Sequence, residues 1–219
     1  MAIRTTLDKD LDRLKELLVE MVNLSKTAVE KSVQSLAHQD IKLAEQIIQD
    51  DQKINELEEQ IDNIIIQLIA QQQPVASDLR AIIAGLKISS DIERIGDLAV
   101  NIAKSIIHIG DGPLIKPIVD IPKMAEKALD MLNNVIKAYI EKDINLAIQT
   151  AKADDEVDEL YGKIIKELLK LMPNNPNSIN QITQLAFISR HFERVADHTT
   201  NMAEHIIYMV KAKKVDLNA

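Results

Sequence analysis

The strongest constraint on this 219-residue chain is that it is written twice. Asp40-Ile41 and Leu43-Ala44 recur 103 positions later as Asp143-Ile144 and Leu146-Ala147. At the same spacing Asp51, Ile54, Leu57 and Ile61 meet Asp154, Val157, Leu160 and Ile164. Further along the spacing shortens to 100. Glu93-Arg94-Ile95-Gly96-Asp97 then meets Glu193-Arg194-Val195-Ala196-Asp197, and Asn101, Ala103, Ile106 and Ile107 meet Asn201, Ala203, Ile206 and Ile207. The change of three falls between helices, where length variation is cheap. The chain is thus expected to be two copies of one unit, residues 1–110 and 111–219, joined by the Gly110 to Pro122 linker.

Each unit reads as helical. Prolines fall in three places only, at Pro74, at Pro113, Pro117 and Pro122, and at Pro173 and Pro176. The long stretches between them are free of this breaker and carry apolar residues at helical spacing. Five Gly and six Pro are too few to turn an all-β chain. Six helices are predicted, over 4–37, 41–72, 76–109, 121–141, 144–172 and 178–212. Asp40 and Asp143 stand as N-caps, and Ser178 with Gln181 fits a capping box. Gly110-Asp111-Gly112 is read as a plain turn, since no G-x-x-x-x-G-K-[ST] follows it. Hydrophobic residues make up 46% of the chain but aromatics only 2%, so neither half carries a robust core alone. The predicted fold is all-α, two tandem three-helix bundles (six helices) related by internal pseudo-symmetry and packed on each other.

A net charge of −8 repels a phosphate backbone and argues against nucleic-acid binding. Zero cysteines remove disulfides, thiolate metal sites and cysteine nucleophiles, and suit a reducing compartment. Arg4, Asp8, Lys9 and Asp10 leave no signal-peptide h-region near the start, and no apolar run approaches the ~20 residues of a membrane span. A cytoplasmic protein without membrane insertion is expected.

On the third helix, Ile88, Ile92, Ile95, Ala99, Ile102 and Ile106 form one apolar stripe, matched on the sixth by Ile188, Phe192, Val195, Thr199, Met202 and Ile206. At 100° per residue, Glu93, Asp97 and Asn101 form a ridge opposite that stripe, as do Glu193, Asp197 and Asn201. Small residues surround the ridges, Gly96 in one half and Ala196 in the other. Carboxylates at i and i+4 repel. Asp51 with Asn55, and Asp154 with Asp158, offer further oxygens from the second and fifth helices. If those helices lie antiparallel to the third and sixth, the oxygens face a common cation such as Mg²⁺, Mn²⁺, iron or Zn²⁺. On spacing alone the first reading is a solvated face with surface salt bridges, Arg94 on Asp97 and Arg194 on Asp197, and the metal site is the second. His191, His198 and His205 lie one heptad apart; His198 could add a nitrogen ligand beside Asp197, and a histidine at a helix interface is the other reading. A carboxylate-bridged di-iron enzyme needs Glu-x-x-His pairs, and no Glu precedes any of the five histidines by three. No catalytic residue is assigned.

The paired Glu-Arg-Ile-Gly-Asp-Leu-Ala-Val-Asn-Ile-Ala-Lys (93–104) and Glu-Arg-Val-Ala-Asp-His-Thr-Thr-Asn-Met-Ala-Glu (193–204) resemble the duplicated signature of the PhoU family, phosphate-specific transport accessory proteins. Gln72-Gln73-Pro74-Val75-Ala76-Ser77-Asp78-Leu79-Arg80 resembles that family's other recognisable stretch. The resemblance implies a non-enzymatic negative regulator of phosphate uptake and phosphate-starvation signalling. Its implied partners are a PhoR-like sensor histidine kinase and a PstB-like ATPase of the phosphate ABC transporter, with self-association as a homodimer. It also implies that paired E/D-x-x-x-D motifs hold multinuclear metal clusters of iron or zinc. Glu93 and Asp97, Glu193 and Asp197, and Asp154 and Asp158 match that motif; Asp51 matches, but its partner position is Asn55. A helical scaffold without metal is the alternative.

Overall fold

The computed structural model describes residues 2–217. The first repeat comprises α1 (Ala2–His38), α2 (Ile41–Asp50), α3 (Gln52–Gln72) and α4 (Ala76–Ile109). The second comprises α5 (Asp120–Glu141), α6 (Ile144–Lys152), α7 (Asp154–Leu171) and α8 (Ile179–Lys211). Two 3₁₀ turns, Met172–Asn174 and Pro176–Ser178, carry the chain from α7 into α8. No strand occurs among the described residues.

All six expected helical segments are present, but the second and fifth each carry a one-residue break, at Asp51 and at Ala153. There the ladder tightens to i→i+3 bonds. The Ile54 N–H donates to the Asp51 carbonyl (2.9 Å), the Ala153 N–H to Thr150 (3.1 Å) and the Glu156 N–H to Ala153 (3.2 Å). Neither position holds Gly or Pro, so nothing local announced a break.

The helix ends preceding these segments are duplicated too. Gln39 (φ 52°) and Lys142 (φ 55°) adopt left-handed backbone, and the next N–H, of Asp40 or Asp143, reaches back to Ser35 or Ala138 at 2.9 Å. The same aspartates then cap the following helix. Asp40 Oδ1 accepts the Leu43 N–H (3.0 Å), and Asp143 Oδ1 accepts those of Asn145 (2.8 Å) and Leu146 (3.1 Å). The expected box at Ser178 does not form: Ser178 precedes α8 without a side-chain cap bond. Gln181 instead ties down the linker, accepting the Ile115 N–H (2.6 Å) and donating to the Pro113 carbonyl (3.2 Å). The irregular linker has free backbone groups to satisfy, and the glutamine amide meets one of each kind.

α4 and α8 form the central pair and run antiparallel. Arg80 Nε, near the start of α4, donates to the Met209 carbonyl of α8 (3.3 Å), while Asn180 Nδ2, at the start of α8, donates to His108 of α4 (3.2 Å). On this pair lie α1 and α5, which also touch each other; α2–α3 flank α4 and α6–α7 flank α8. Small residues bring α1 close to α4, where buried Ser25 donates to the Ile92 carbonyl (3.2 Å). One continuous apolar core runs through both repeats. No helix is long and apolar enough to cross a membrane among the described residues.

Candidate metal-binding seams

A central helix has neighbours on several sides, and this changes the setting of the acidic ridges. On spacing alone they stand opposite the core. In the structure that opposite side of α4 is the seam with α2–α3, and that of α8 is the seam with α6–α7. Gly96 and Ala196 are therefore buried, Glu93 and Asp97 half-buried, and Glu193 only 6% exposed.

The first seam is set by Gly96. A Cβ there would meet Ile54 Cδ1 at 2.9 Å and Asp51 Oδ1 at 3.2 Å, so the bare backbone of Gly96 leaves room for the ends of these two side chains against α4. Asp51 is thereby brought beside Asp97. Burial holds the Asp51 carboxyl above the ordinary carboxylate range and the Asp97 charge adds to this, opposed by Asn55 and Lys104. Asn55 does not simply leave a gap, since its Nδ2 donates to Asp51 Oδ2 at 3.5 Å. Glu93 is raised by burial and by Asp97, against the pull of Arg94, with Glu58 and Asp51 adding smaller pushes. Glu58 was not foreseen. It lies on α3, two turns beyond Asp51, and is itself raised by burial and by Asp62. A search of α3 for a carboxylate at i+7 from Asp51 would have found it.

In the second seam Asp154, the first residue of α7, accepts from Thr200 Oγ1 of α8 at 3.4 Å. Its carboxyl is pushed up to about 6 by burial, then by Asp158 and Asp197. Glu193 is pushed up to about 7 by burial and by Asp197, with Arg190 opposing. Asp197 is raised by burial against the pull of Arg190, and Asp158 adds to it. Asp154 Oδ1 and Glu193 Oε2 are buried and have no hydrogen-bond partner. The structure thus brings Asp154, Asp158, Glu193 and Asp197 together, and Asp51, Glu93 and Asp97 with Glu58.

Arginines border both seams, one of them differently from expectation. Arg94 pairs with Asp97 (2.9 Å) and touches Glu93 (3.5 Å). In the second repeat no Arg194–Asp197 pair forms. Arg190, one turn before Glu193, pairs with that glutamate instead, and its guanidinium carbon lies 5.8 Å from the centre of the Tyr161 ring. The reason is that Glu193 points into the α7 seam, on the side of α8 that Arg190 shares.

Two of the three histidines of the row turn to Asp91 of α4. His198 Nδ1 lies 3.0 Å from Asp91 Oδ1 on α4, and His205 Nε2 lies 3.4 Å from Asp91 Oδ2. Burial pushes the Asp91 carboxyl up, but the two imidazoles outweigh it and hold it below the usual range. Asp91 is thus a clamp between repeats that sequence reading missed. Its signal was the loss of duplication along the row, where Asp91, Leu98 and Ser105 stand opposite His191, His198 and His205 in the alignment of repeats.

As they stand, no three carboxylate or imidazole groups among the described residues are arranged to hold one metal ion. What each seam offers is crowded, half-desolvated oxygen, with two orphaned acceptors in the second. Such donors suit hard or borderline cations, and a cation would offset both burial and mutual repulsion.

The PhoU domain family matches twice, over residues 18–106 and 121–206. The chain is 38% identical to the phosphate-specific transport system accessory protein PhoU homolog of Clostridium acetobutylicum, over 98% of this chain and 99% of the relative. It is 39% identical to the protein of the same name from Aquifex aeolicus, over 94% of each. The crystal structure of PhoU from Pseudomonas aeruginosa superposes with a TM-score of 0.89 at 31% identity, over 94% of this chain and 99% of that one. The phosphate transport system regulatory protein PhoU from Streptococcus pneumoniae gives 0.90 at 30% identity, over 96% and 99%.

Proposed function

The chain belongs to the PhoU family, and from that premise we propose that it is a cytoplasmic, non-enzymatic accessory protein of a phosphate-specific transport system. In this reading it restrains phosphate uptake and phosphate-starvation signalling by joining the transporter's ATPase subunit to the sensor histidine kinase. Each acidic seam holds a cluster of iron, zinc or a similar cation. Asp51, Glu93 and Asp97, with Glu58, are the ligands in the first; Asp154, Asp158, Glu193 and Asp197 are the ligands in the second. The cation would supply positive charge and pin α2–α3 to α4 and α6–α7 to α8, stiffening the faces that dock partners.

The observation that carries the metal reading is the pair of buried acceptors without partners, Asp154 Oδ1 and Glu193 Oε2. Leaving a buried acceptor unpaired costs on the order of 1–3 kcal/mol, more when it is charged, and a bound cation removes that penalty. The competing reading, a metal-free scaffold, is favoured by the Arg94 and Arg190 ion pairs. Elemental analysis separates the two. Native protein is expected to carry metal, and the Glu93→Ala/Asp97→Ala and Glu193→Ala/Asp197→Ala variants to lose their shares; equal content in all three rejects the metal. Pull-downs of the kinase and the ATPase subunit test the adaptor role independently.

A further inference from the structure

The two seams are not charged alike, and the difference lies in two exchanged residues. Arg190 of α8 stands where the first repeat has Ser90, and Tyr161 of α7 stands where it has Glu58. The tyrosine ring supports the guanidinium, and the guanidinium is paired to Glu193 Oε1. The Glu193 side chain is only 8% exposed, so that oxygen has little water to fall back on. In the first seam the matching glutamate, Glu93, meets only Arg94, which is 57% exposed and divides itself between Glu93 and Asp97.

Resting on the metal reading above, we propose that Arg190 is the resident counter-cation of the second seam and competes with a metal ion for Glu193. Glu193 presents one oxygen to Arg190 and keeps the other, Oε2, buried and unpartnered beside Asp197 and Asp154. An ion that uses both oxygens, or bridges Glu193 to its neighbours, must move the guanidinium off Oε1 and away from the Tyr161 ring. The metal-free seam is therefore self-neutralised in part, and its affinity is set by how firmly Tyr161 holds Arg190. The first seam has no such lock, because Ser90 carries no charge and Glu58 adds one of the opposite sign.

The test uses full-length protein carrying Glu93→Ala/Asp97→Ala, so that the second seam is read alone, with Mn²⁺ as the probe. Free Mn²⁺ is followed by electron paramagnetic resonance and the heat of binding by calorimetry. Adding Arg190→Ala is expected to tighten Mn²⁺ binding by about two- to fivefold, the worth of a half-exposed ion pair. Arg190→Gln, which keeps the side-chain stem, is expected to do the same, and Tyr161→Ala to give a smaller gain. Far-UV circular dichroism establishes that each variant is folded. Unchanged or weaker Mn²⁺ binding in both Arg190 variants overturns the competition and makes Arg190 a structural pair only. Absence of Mn²⁺ binding in the parent, together with metal-free native protein, overturns the metal reading on which this inference stands.

Discussion

Gly96 packs against Ile54, and the second repeat answers with Ala196 and Val157 at the same two places. The added methyl on α8 is matched by a lost one on α7, and the atom lost is the δ-carbon that would crowd it. In the first repeat, Ile54 Cδ1 lies 2.9 Å from where a Gly96 Cβ would stand. Gly96→Ala is therefore expected to lose, to crowding of Ile54 Cδ1, part or all of the roughly 1 kcal/mol that alanine otherwise gains over glycine inside a helix. Gly96→Ala combined with Ile54→Val should recover most of the loss. Urea unfolding of the four corners of this double-mutant cycle measures the interaction, and simple additivity would mean that the steric account is wrong.

At the scale of elements, each repeat relies on one aspartate to close one helix and open the next. The Asp143 N–H completes the end of α5 while its carboxylate caps α6. Asp143→Ala leaves the first of these bonds and removes the second, so it should cost about 1 kcal/mol, seen as a lower urea midpoint at unchanged slope. Asp143→Asn or Asp143→Ser should keep nearly full stability. The breaks at Asp51 and Ala153 belong to this scale as well. At each break an acidic residue lies against the central helix, Asp51 beside Gly96 in one repeat and Asp154 bonded to Thr200 in the other.

For the whole molecule, the α4–α8 pair decides stability because it joins the repeats. Asp91 lies in that joint, hydrogen-bonded through Oδ1 to His198, with His205 Nε2 3.4 Å from Oδ2. Asp91→Ala removes the hydrogen-bond partner of His198 and the carboxylate facing His205, and is expected to cost about 1–3 kcal/mol by urea unfolding. The acidic seams and Asp91 act with opposite sign in pH. Glu193, pushed up to about 7, and Asp154, pushed up to about 6, hold protons in the folded chain that the unfolded chain releases near pH 4. Stability of the metal-free protein should therefore fall as pH rises from about 4 to about 7. Asp91, held below its ordinary value, contributes stability at neutral pH that is lost as pH falls through its folded value. Calorimetric melting across this range is expected to show a higher Tm near pH 5 than near pH 8, and Glu193→Gln to flatten that slope. A Tm that climbs steadily from pH 5 to pH 8 would contradict it.

The amino-acid order alone determined the duplication, the six helical segments, the two aspartate caps and the carboxylates of both ridges. These depend on interactions within about four residues, where period and side-chain chemistry are decisive. Tertiary structure alone decided that the ridges line seams instead of facing solvent, because burial of a polar face depends on how many helices surround it. It likewise decided that Arg190 and not Arg194 meets the second ridge, that Glu58 joins the first, and that His198 and His205 turn to Asp91. Each of those contacts joins residues on different helices or selects one of two equally spaced partners, a choice settled by packing and not by spacing along the chain.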